Sequence, residues 1–370
     1  MIDMKRIIPV HEPVLDGNEK KYVMDCLDTG WISSTGSYVK RFEEKFAAFC
    51  GLKHGIAVTS GTAALHVAVA ALKIGKGDEV IMPSFTMIAP ALAVDYTGAR
   101  PVFVDAEPKS WTMDAGQIES KITRRTKAIM AIHIYGHPCY MDEIKEIADK
   151  HGLYLIEDAA EAHGALYKGK KAGTFGDISA FSFYSNKIVT TGEGGMVVTN
   201  DDKLAERSMW LKDFCFDKER RYFHEEIGFK YPMTNVQAAI GLAQAERVEK
   251  IIEQKRDMAR RYNEGLEGVR NVTRPYEDKD VKNVYWMYGI LIEDGSKRTR
   301  DEVKKYLFEH GIDTRYFFVG MHKQPPFLVK DGKFPVTEEL ERKGLYLPSS
   351  TNLTDEQIEY ICKTIKKAVE

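Results

Sequence analysis

Asp158 and Lys187 each close an apolar run that stops abruptly in polar residues. The run 154–156 ends in Glu157 and Asp158, and the run 178–184 ends in Asn186 and Lys187, with Thr190-Thr-Gly-Glu-Gly-Gly195 just beyond. Each has the length of a buried strand whose end opens into a loop, and in α/β sheets ligands sit at such strand ends. A lysine in partly apolar surroundings can lose its proton and attack a carbonyl carbon. An acid facing the ring nitrogen of a pyridine would hold that nitrogen protonated. A Schiff-base lysine and a pyridinium partner are the two fixed parts of a pyridoxal phosphate (PLP) site.

A third element of such a site lies upstream. Residues 55–58 read as a short strand, followed by Thr59-Ser-Gly-Thr62 and a helix over 63–72. Unpaired N–H groups at the helix start and the helix dipole favour an anion there, and Gly61 would let a phosphate come close. Ser60, Gly61 and Thr62 are therefore expected to hold phosphate. The motif alone is weak, because Ser and Thr also serve as ordinary N-caps.

The elements that must carry these residues alternate. Short apolar strands are expected at 79–82, 101–104 and 128–132, with helices at 88–97, 142–151 and 202–211, which argues a mostly parallel sheet covered on both faces. Ahead of them come helical segments at 18–27 and 38–50, the second with an apolar stripe of Tyr38, Phe42, Phe46 and Phe49. Between them lies a turn-rich connector, Asp28-Thr-Gly-Trp-Ile-Ser-Ser-Thr-Gly36. One long helix is expected from 235 to about 266. Beyond it, an alternating run at 285–292, a helix at 300–309, residues 313–319 and a helix at 355–369 suggest a smaller α+β domain. The expected division is a large domain, 1–250, and a small C-terminal domain, 251–370.

Five stretches occur in the order found in one family of enzymes: LDTGWISSTGSYVKRFEEKFAAFCG, SGTAALHVAVAAL, EDAAEAHGA, FSFYSNKIVTTGEGGMVVTND and MTNVQAAIGLAQ. Over nearly its whole length the chain resembles the nucleotide-sugar aminotransferases of the DegT/DnrJ/EryC1/StrS type, PLP enzymes of fold type I with an aspartate-aminotransferase-like large domain. The resemblance implies Lys187 as Schiff-base lysine and proton carrier, Asp158 as partner of the pyridine nitrogen, and Glu161 against the phenolic oxygen of PLP. It implies Ser182 toward the phosphate and Asn235 toward the phosphate of a neighbouring subunit, hence a homodimer with shared sites; from sequence alone Asn235 reads as a helix N-cap. Ser33 in the Trp31-Ile-Ser-Ser34 loop, and Arg315, Tyr316 and His322 in 313–326, are the candidates for sugar nucleotide. His163 is expected to be structural.

The activity implied is amino transfer from glutamate, through pyridoxamine phosphate, to a nucleotide-linked 4-keto-6-deoxy sugar. GDP-4-keto-6-deoxymannose is the first choice, with 3- or 4-amination of a dTDP- or UDP-linked keto-sugar as the alternative. Sugar dehydratases of this family replace the lysine with histidine, and a non-catalytic regulator should have lost Lys187, Asp158 or the phosphate turn. Three positions depart from the family. Met87 stands where an aromatic residue commonly stacks on the pyridine, with Phe85 two residues away. Pro232 replaces an arginine, and residues 212–216 replace a glycine-containing segment.

The formal net charge of -2 gives no electrostatic reason to expect nucleic acid or an anionic membrane as partner. Five scattered cysteines without CxxC spacing argue against disulfides and a metal site. The opening residues lack an apolar h-region and no stretch approaches a membrane span, so a cytoplasmic protein is expected.

Overall fold

The computed structural model describes residues 7–217, 219–220 and 222–370. Its strands are β1 (His54–Val58), β2 (Glu79–Pro83), β3 (Arg100–Val104), β4 (Thr126–Ile132), β5 (Tyr154–Asp158), β6 (Leu166–Tyr167), β7 (Lys170–Lys171), β8 (Ile178–Ser182), β9 (Gly195–Thr199), β10 (Val272–Thr273), β11 (Val281–Lys282), β12 (Gly289–Ile292), β13 (Arg315–Tyr316) and β14 (Gly344–Tyr346). Seven of them form the central sheet in the order β1-β9-β8-β5-β4-β2-β3. All neighbours run parallel except β9, which is antiparallel to both β1 and β8. β2, β8 and β9 are buried at every residue. That explains their near-continuous apolar sequences, because a sheet covered on both faces has no polar side.

Helices α1 (Glu19–Thr29), α2 (Ser37–Cys50), α3 (Gly61–Ala71), α4 (Ala89–Asp95), α5 (Met141–His151), α6 (Asp202–Lys212) and α7 (Asn235–Ala245) accompany this sheet. The expected stripe on α2 buries Tyr38, Phe42 and Phe46, and the Phe46 ring meets Phe181 and Phe183 of the Lys187 strand at 5.0 and 4.9 Å. Aromatic pairs at that spacing add about 0.5–1.5 kcal/mol each beyond their burial. So α2 fixes the back of the strand that presents the lysine.

The helix expected over 235–266 is two helices, α7 and α8 (Val248–Gly265). Arg247 leaves helical geometry at φ -125°. Its guanidinium donates to the Val14 carbonyl at 2.9 Å and pairs with Asp16, while Gln244 reaches the same carbonyl at 3.1 Å. The crossing N-terminal arm takes these side chains, and the helix breaks where it is held.

Beyond α8, an antiparallel sheet β10-β12-β14-β13 packs with α8, α9 (Arg300–Glu309) and α11 (Asp355–Val369) around Tyr262, Tyr288, Leu307 and Ile361. The strand expected around 313–319 is only Arg315–Tyr316. Helix α10 (Pro335–Lys343) docks on the central sheet, where the Asp105 carboxylate accepts the Val336 and Thr337 N–H groups at 2.9 and 2.8 Å. Among the described residues no helix is long and apolar enough to cross a membrane, and all five cysteines are buried free thiols.

Candidate active site

The C-terminal ends of the parallel strands open on a cavity of about 380 Å³. Asp158 ends β5, Ser182 ends β8, and Ser60, Gly61 and Thr62 follow β1; all line the cavity with Glu161, Lys187 and Met87. Eight of the sequence-derived candidates thus converge on one space, as expected at the carboxyl ends of such a sheet.

The floor is built by close approach. Ser60 caps α3, its hydroxyl accepting the Ala63 N–H at 3.1 Å, which leaves the first N–H groups of the helix facing the cavity mouth. A Cβ on Gly61 would stand 2.7 Å from the Ser182 Cβ, and one on Gly195 would stand 2.3 Å from the Ser60 carbonyl oxygen. Both glycines are needed for the helix start to sit against β8 and β9. A small anion at this helix start, beside the Ser182 hydroxyl, matches the donor set.

Lys187 is almost buried. Its Nζ lies 3.3 Å from Glu161 Oε1 and 3.5 Å from the centroid of the Trp286 ring. Burial pulls the ammonium below its usual pKa, and the carboxylates of Glu161 and Asp158 oppose that pull. Burial pushes Asp158 upward against the Ala160 N–H, Lys187 and His133. Glu161 is also raised by burial, opposed by Lys187 and by the Tyr135 N–H that its Oε2 accepts at 2.7 Å. A pyridine ring, a phosphate and an aldehyde find complementary groups here: an acid, a helix start with hydroxyls, and a primary amine.

Glu157, adjacent to Asp158, has another task. Its carboxylate accepts the N–H groups of Gly173, Phe175 and Gly176 at 2.6–2.7 Å and faces His133 at 2.9 Å, fully buried. It shapes the 173–176 turn and takes no part in the cavity. His163 is fully buried among Phe46, Phe181 and Phe183, and burial lowers its pKa to about 3, so it is structural as expected.

Other candidates fall outside the cavity. Asn235 is the first residue of α7 and not its N-cap. Thr234 caps α7 in a capping box with Gln237. The Asn235 Oδ1 accepts the Tyr38 N–H at 2.9 Å, and its Nδ2 donates to the Trp31 carbonyl at 2.6 Å and toward Cys26 Sγ at 3.3 Å. The amide thus ties α7 to Cys26 of α1 and to the Trp31 carbonyl of the loop that follows it. Ser33 is exposed on that loop, its hydroxyl 3.3 Å from that of Thr35. Arg315 pairs with Asp313 and lies beside the cavity-lining Tyr346 in register, and Tyr316 lies under the Arg300 guanidinium at 4.1 Å. His322 is buried, its Nδ1 2.7 Å from the Ser84 hydroxyl and its ring 4.2 Å from Phe334. It braces the segment leading to Met87 and does not face the cavity.

The departures have local explanations. Met87 is 47% exposed and lines the cavity, whereas Phe85 is wholly buried against Tyr135 and Phe317; Phe85 cannot take the place of the missing aromatic. Lys212 is a buried ion pair with Glu43 at 3.1 Å that also reaches the Ala57 carbonyl. Phe214 and Cys215 hold φ of 61° and 52°, the region where a glycine is at ease. Pro232 bridges to Val58 at the end of β1.

Sequence reasoning did not single out Thr86, Tyr184, Asn186, Glu193, Trp286, Phe318 or Tyr346 as site residues, and these also line the cavity. Asn186 and Glu193 flank motifs already singled out. Trp286, Phe318 and Tyr346 come from the C-terminal third, where spacing gives no sign of which aromatic turns inward.

A family model described as DegT/DnrJ/EryC1/StrS aminotransferase family matches residues 13–366. The chain is 47% identical to a GDP-perosamine synthase of Escherichia coli O157:H7 over 362 residues, 98% of each chain. It is 46% identical to a GDP-perosamine synthase of Caulobacter vibrioides over 371 residues, the full length of both. The crystal structure of S. venezuelae DesV in complex with a ketimine intermediate superimposes with a TM-score of 0.89 at 35% identity, covering 95% of this chain and 94% of that one.

Proposed function

Because this chain belongs to the DegT/DnrJ/EryC1/StrS aminotransferase family, we propose that it is the PLP-dependent enzyme that moves an amino group from glutamate to GDP-4-keto-6-deoxymannose, giving GDP-perosamine. One observation carries the reading. Lys187, Asp158, Glu161 and the start of α3 line a single cavity, with the Lys187 amine 3.3 Å from Glu161. The choice of a GDP sugar is supported by the relatives at 46–47% identity, both GDP-perosamine synthases.

When bound, PLP supplies an electron sink for the carbon that loses or gains a proton. The residues of the chain supply the rest. The start of α3, with Ser60, Gly61, Thr62 and Ser182, anchors the phosphate. Asp158 keeps the pyridine nitrogen protonated, and that cation repays the cost of burying its carboxylate. Lys187 would hold the aldehyde through its amine and would serve as the general acid and base that moves the proton. Trp286, Phe318 and Tyr346 close the cavity on the side of the C-terminal sheet and exclude water. We read residues 1–250 as the unit that holds PLP and 251–370 as the smaller unit that covers it. Met24, Leu27, Trp31 and Ile32 expose apolar surface on α1 and the loop after it, which supports a homodimer in the cytoplasm through that face.

The test is to incubate the PLP-loaded protein with glutamate and GDP-, dTDP- and UDP-linked 4-keto-6-deoxy sugars and weigh the products. Amination of the GDP sugar alone is expected, and Lys187→Ala should abolish it. Amination of a dTDP or UDP sugar instead would overturn the substrate and keep the chemistry.

A further inference from the structure

Lys187 can attack a carbonyl only as a neutral amine, so its ammonium proton needs a destination. Among the described residues, Glu161 is the group within hydrogen-bond distance of the Lys187 Nζ, at 3.3 Å, with both side chains less than a tenth exposed. Its carboxylate is aimed. Oε2 is held by the Tyr135 N–H at 2.7 Å, which leaves Oε1 toward the amine. That N–H is presented by a backbone strained to φ 51° at a buried, non-glycine residue, a cost of order 1–3 kcal/mol that persists only where surroundings enforce it. The enforcement is visible next door, where a Cβ on Gly136 would lie 2.8 Å from the Tyr285 and Trp286 nitrogens.

We propose that Glu161 is the base that activates Lys187, the two side chains sharing a single proton that never has to leave for solvent. In this step an N–H bond of the Lys187 ammonium breaks, an O–H bond of Glu161 forms, and the electron pair stays on nitrogen. The amine then adds to an aldehyde carbon and water departs, while the proton remains on Glu161 for return when the lysine is released. Burial favours the neutral partner on each side, lowering the lysine and raising the acid. The titratable groups facing Glu161 are Lys187, the Asp158 carboxylate and the phenols of Tyr135 and Tyr346. Both phenols are pushed up by burial and stay neutral, so Asp158 is the neighbour whose charge resists ionisation of Glu161.

The inference rests on the reading of Lys187 as the amine that meets a carbonyl, yet it is tested without PLP. Coenzyme-free protein is treated with acetic anhydride, and the initial rate of Lys187 acetylation is followed by peptide mass spectrometry. If the pair holds one proton from pH 6 to 8, the neutral-amine fraction is constant there, and the wild-type rate changes less than about threefold. In Glu161→Gln Lys187 titrates alone, with Asp158 as its remaining charged neighbour, so its rate rises with pH through its own titration, which is followed from pH 5 to 10 in both proteins. A wild-type rate that itself rises tenfold per unit overturns the proposal, whether or not the variant folds. Equal titration profiles in the two proteins overturn it as well. The functional reading is checked separately by the visible band formed with PLP, so its failure would leave the profiles intact.

Discussion

The Lys187 Nζ stands 3.5 Å from the centroid of the Trp286 ring, and the Trp286 indole donates to the Asn186 carbonyl at 2.7 Å. One aromatic side chain therefore grips the lysine at its amine and at the peptide preceding it. Behind the ring, the buried Lys255 donates to the Trp286 carbonyl at 2.8 Å and to the Ser349 carbonyl. Misplacing a reacting group by about 1 Å can cost about a hundredfold in rate. Trp286→Leu should therefore weaken productive PLP loading and lower kcat by roughly ten- to thirtyfold. Trp286→Phe, which keeps a ring face, should lose only a few-fold. Titration of the visible band and single-turnover rates with glutamate would show this ordering, and equal losses in the two variants would contradict it.

Asp158→Asn keeps the side-chain shape and an oxygen for the Ala160 N–H, which Asp158 Oδ1 now accepts at 3.0 Å. It removes the charge that would hold a pyridine nitrogen protonated. PLP should still bind, because the phosphate anchor and Lys187 are untouched. The rate of the half-reaction with glutamate should fall by about 10²–10⁴. A variant that loses binding and rate together would assign Asp158 a structural role.

The catalytic half of the site was legible because it depends on strand ends. Asp158, Ser182 and Lys187 sit where apolar runs stop, and the 59–62 turn precedes a helix, so local pattern and site coincide. The surroundings of Asn235 were hidden for the opposite reason. Its environment is made by residues two hundred positions away, Cys26, Trp31 and Tyr38, and no local pattern records such a contact. Trp286 and Tyr346 were invisible on the same ground, since an aromatic that reaches the cavity from the loop before β12 or from β14 has the same spacing as a core residue. The break between α7 and α8 was hidden because Arg247 and Gln244 are good helix formers whose side chains are claimed by the N-terminal arm.

The Asn235 amide is clamped by a glycine. A Cβ on Gly36 would fall 2.0 Å from Asn235 Cγ, so Gly36→Ala must push the amide away from the Tyr38 N–H and the Trp31 carbonyl. Losing two buried hydrogen bonds should cost about 2–5 kcal/mol and loosen the loop that carries Trp31 and Ser33. Urea unfolding and limited proteolysis near residues 30–36 would register both effects. Unchanged stability would show that the loop can yield without the amide.

Acid should destabilise the protein through His163 before the carboxylates titrate. Both ring nitrogens of His163 are buried without a partner, and burial with the nearby Lys187 charge lowers its pKa to about 3. An unfolded histidine titrates near 6.5. Between those values the unfolded chain binds one more proton than the folded one, so stability from this group is present above about pH 6.5 and is lost as pH falls, by up to about 1.4 kcal/mol per unit. His11, also lowered to about 3 by burial and by Lys255, acts in the same direction. In His163→Leu the loss of stability from pH 6.5 to 5 should be smaller than in wild type by about one proton's worth, roughly 2 kcal/mol over that interval. Denaturation midpoints across that range for both proteins measure the difference, and parallel curves would mean that His163 finds a proton-accepting partner in the folded state.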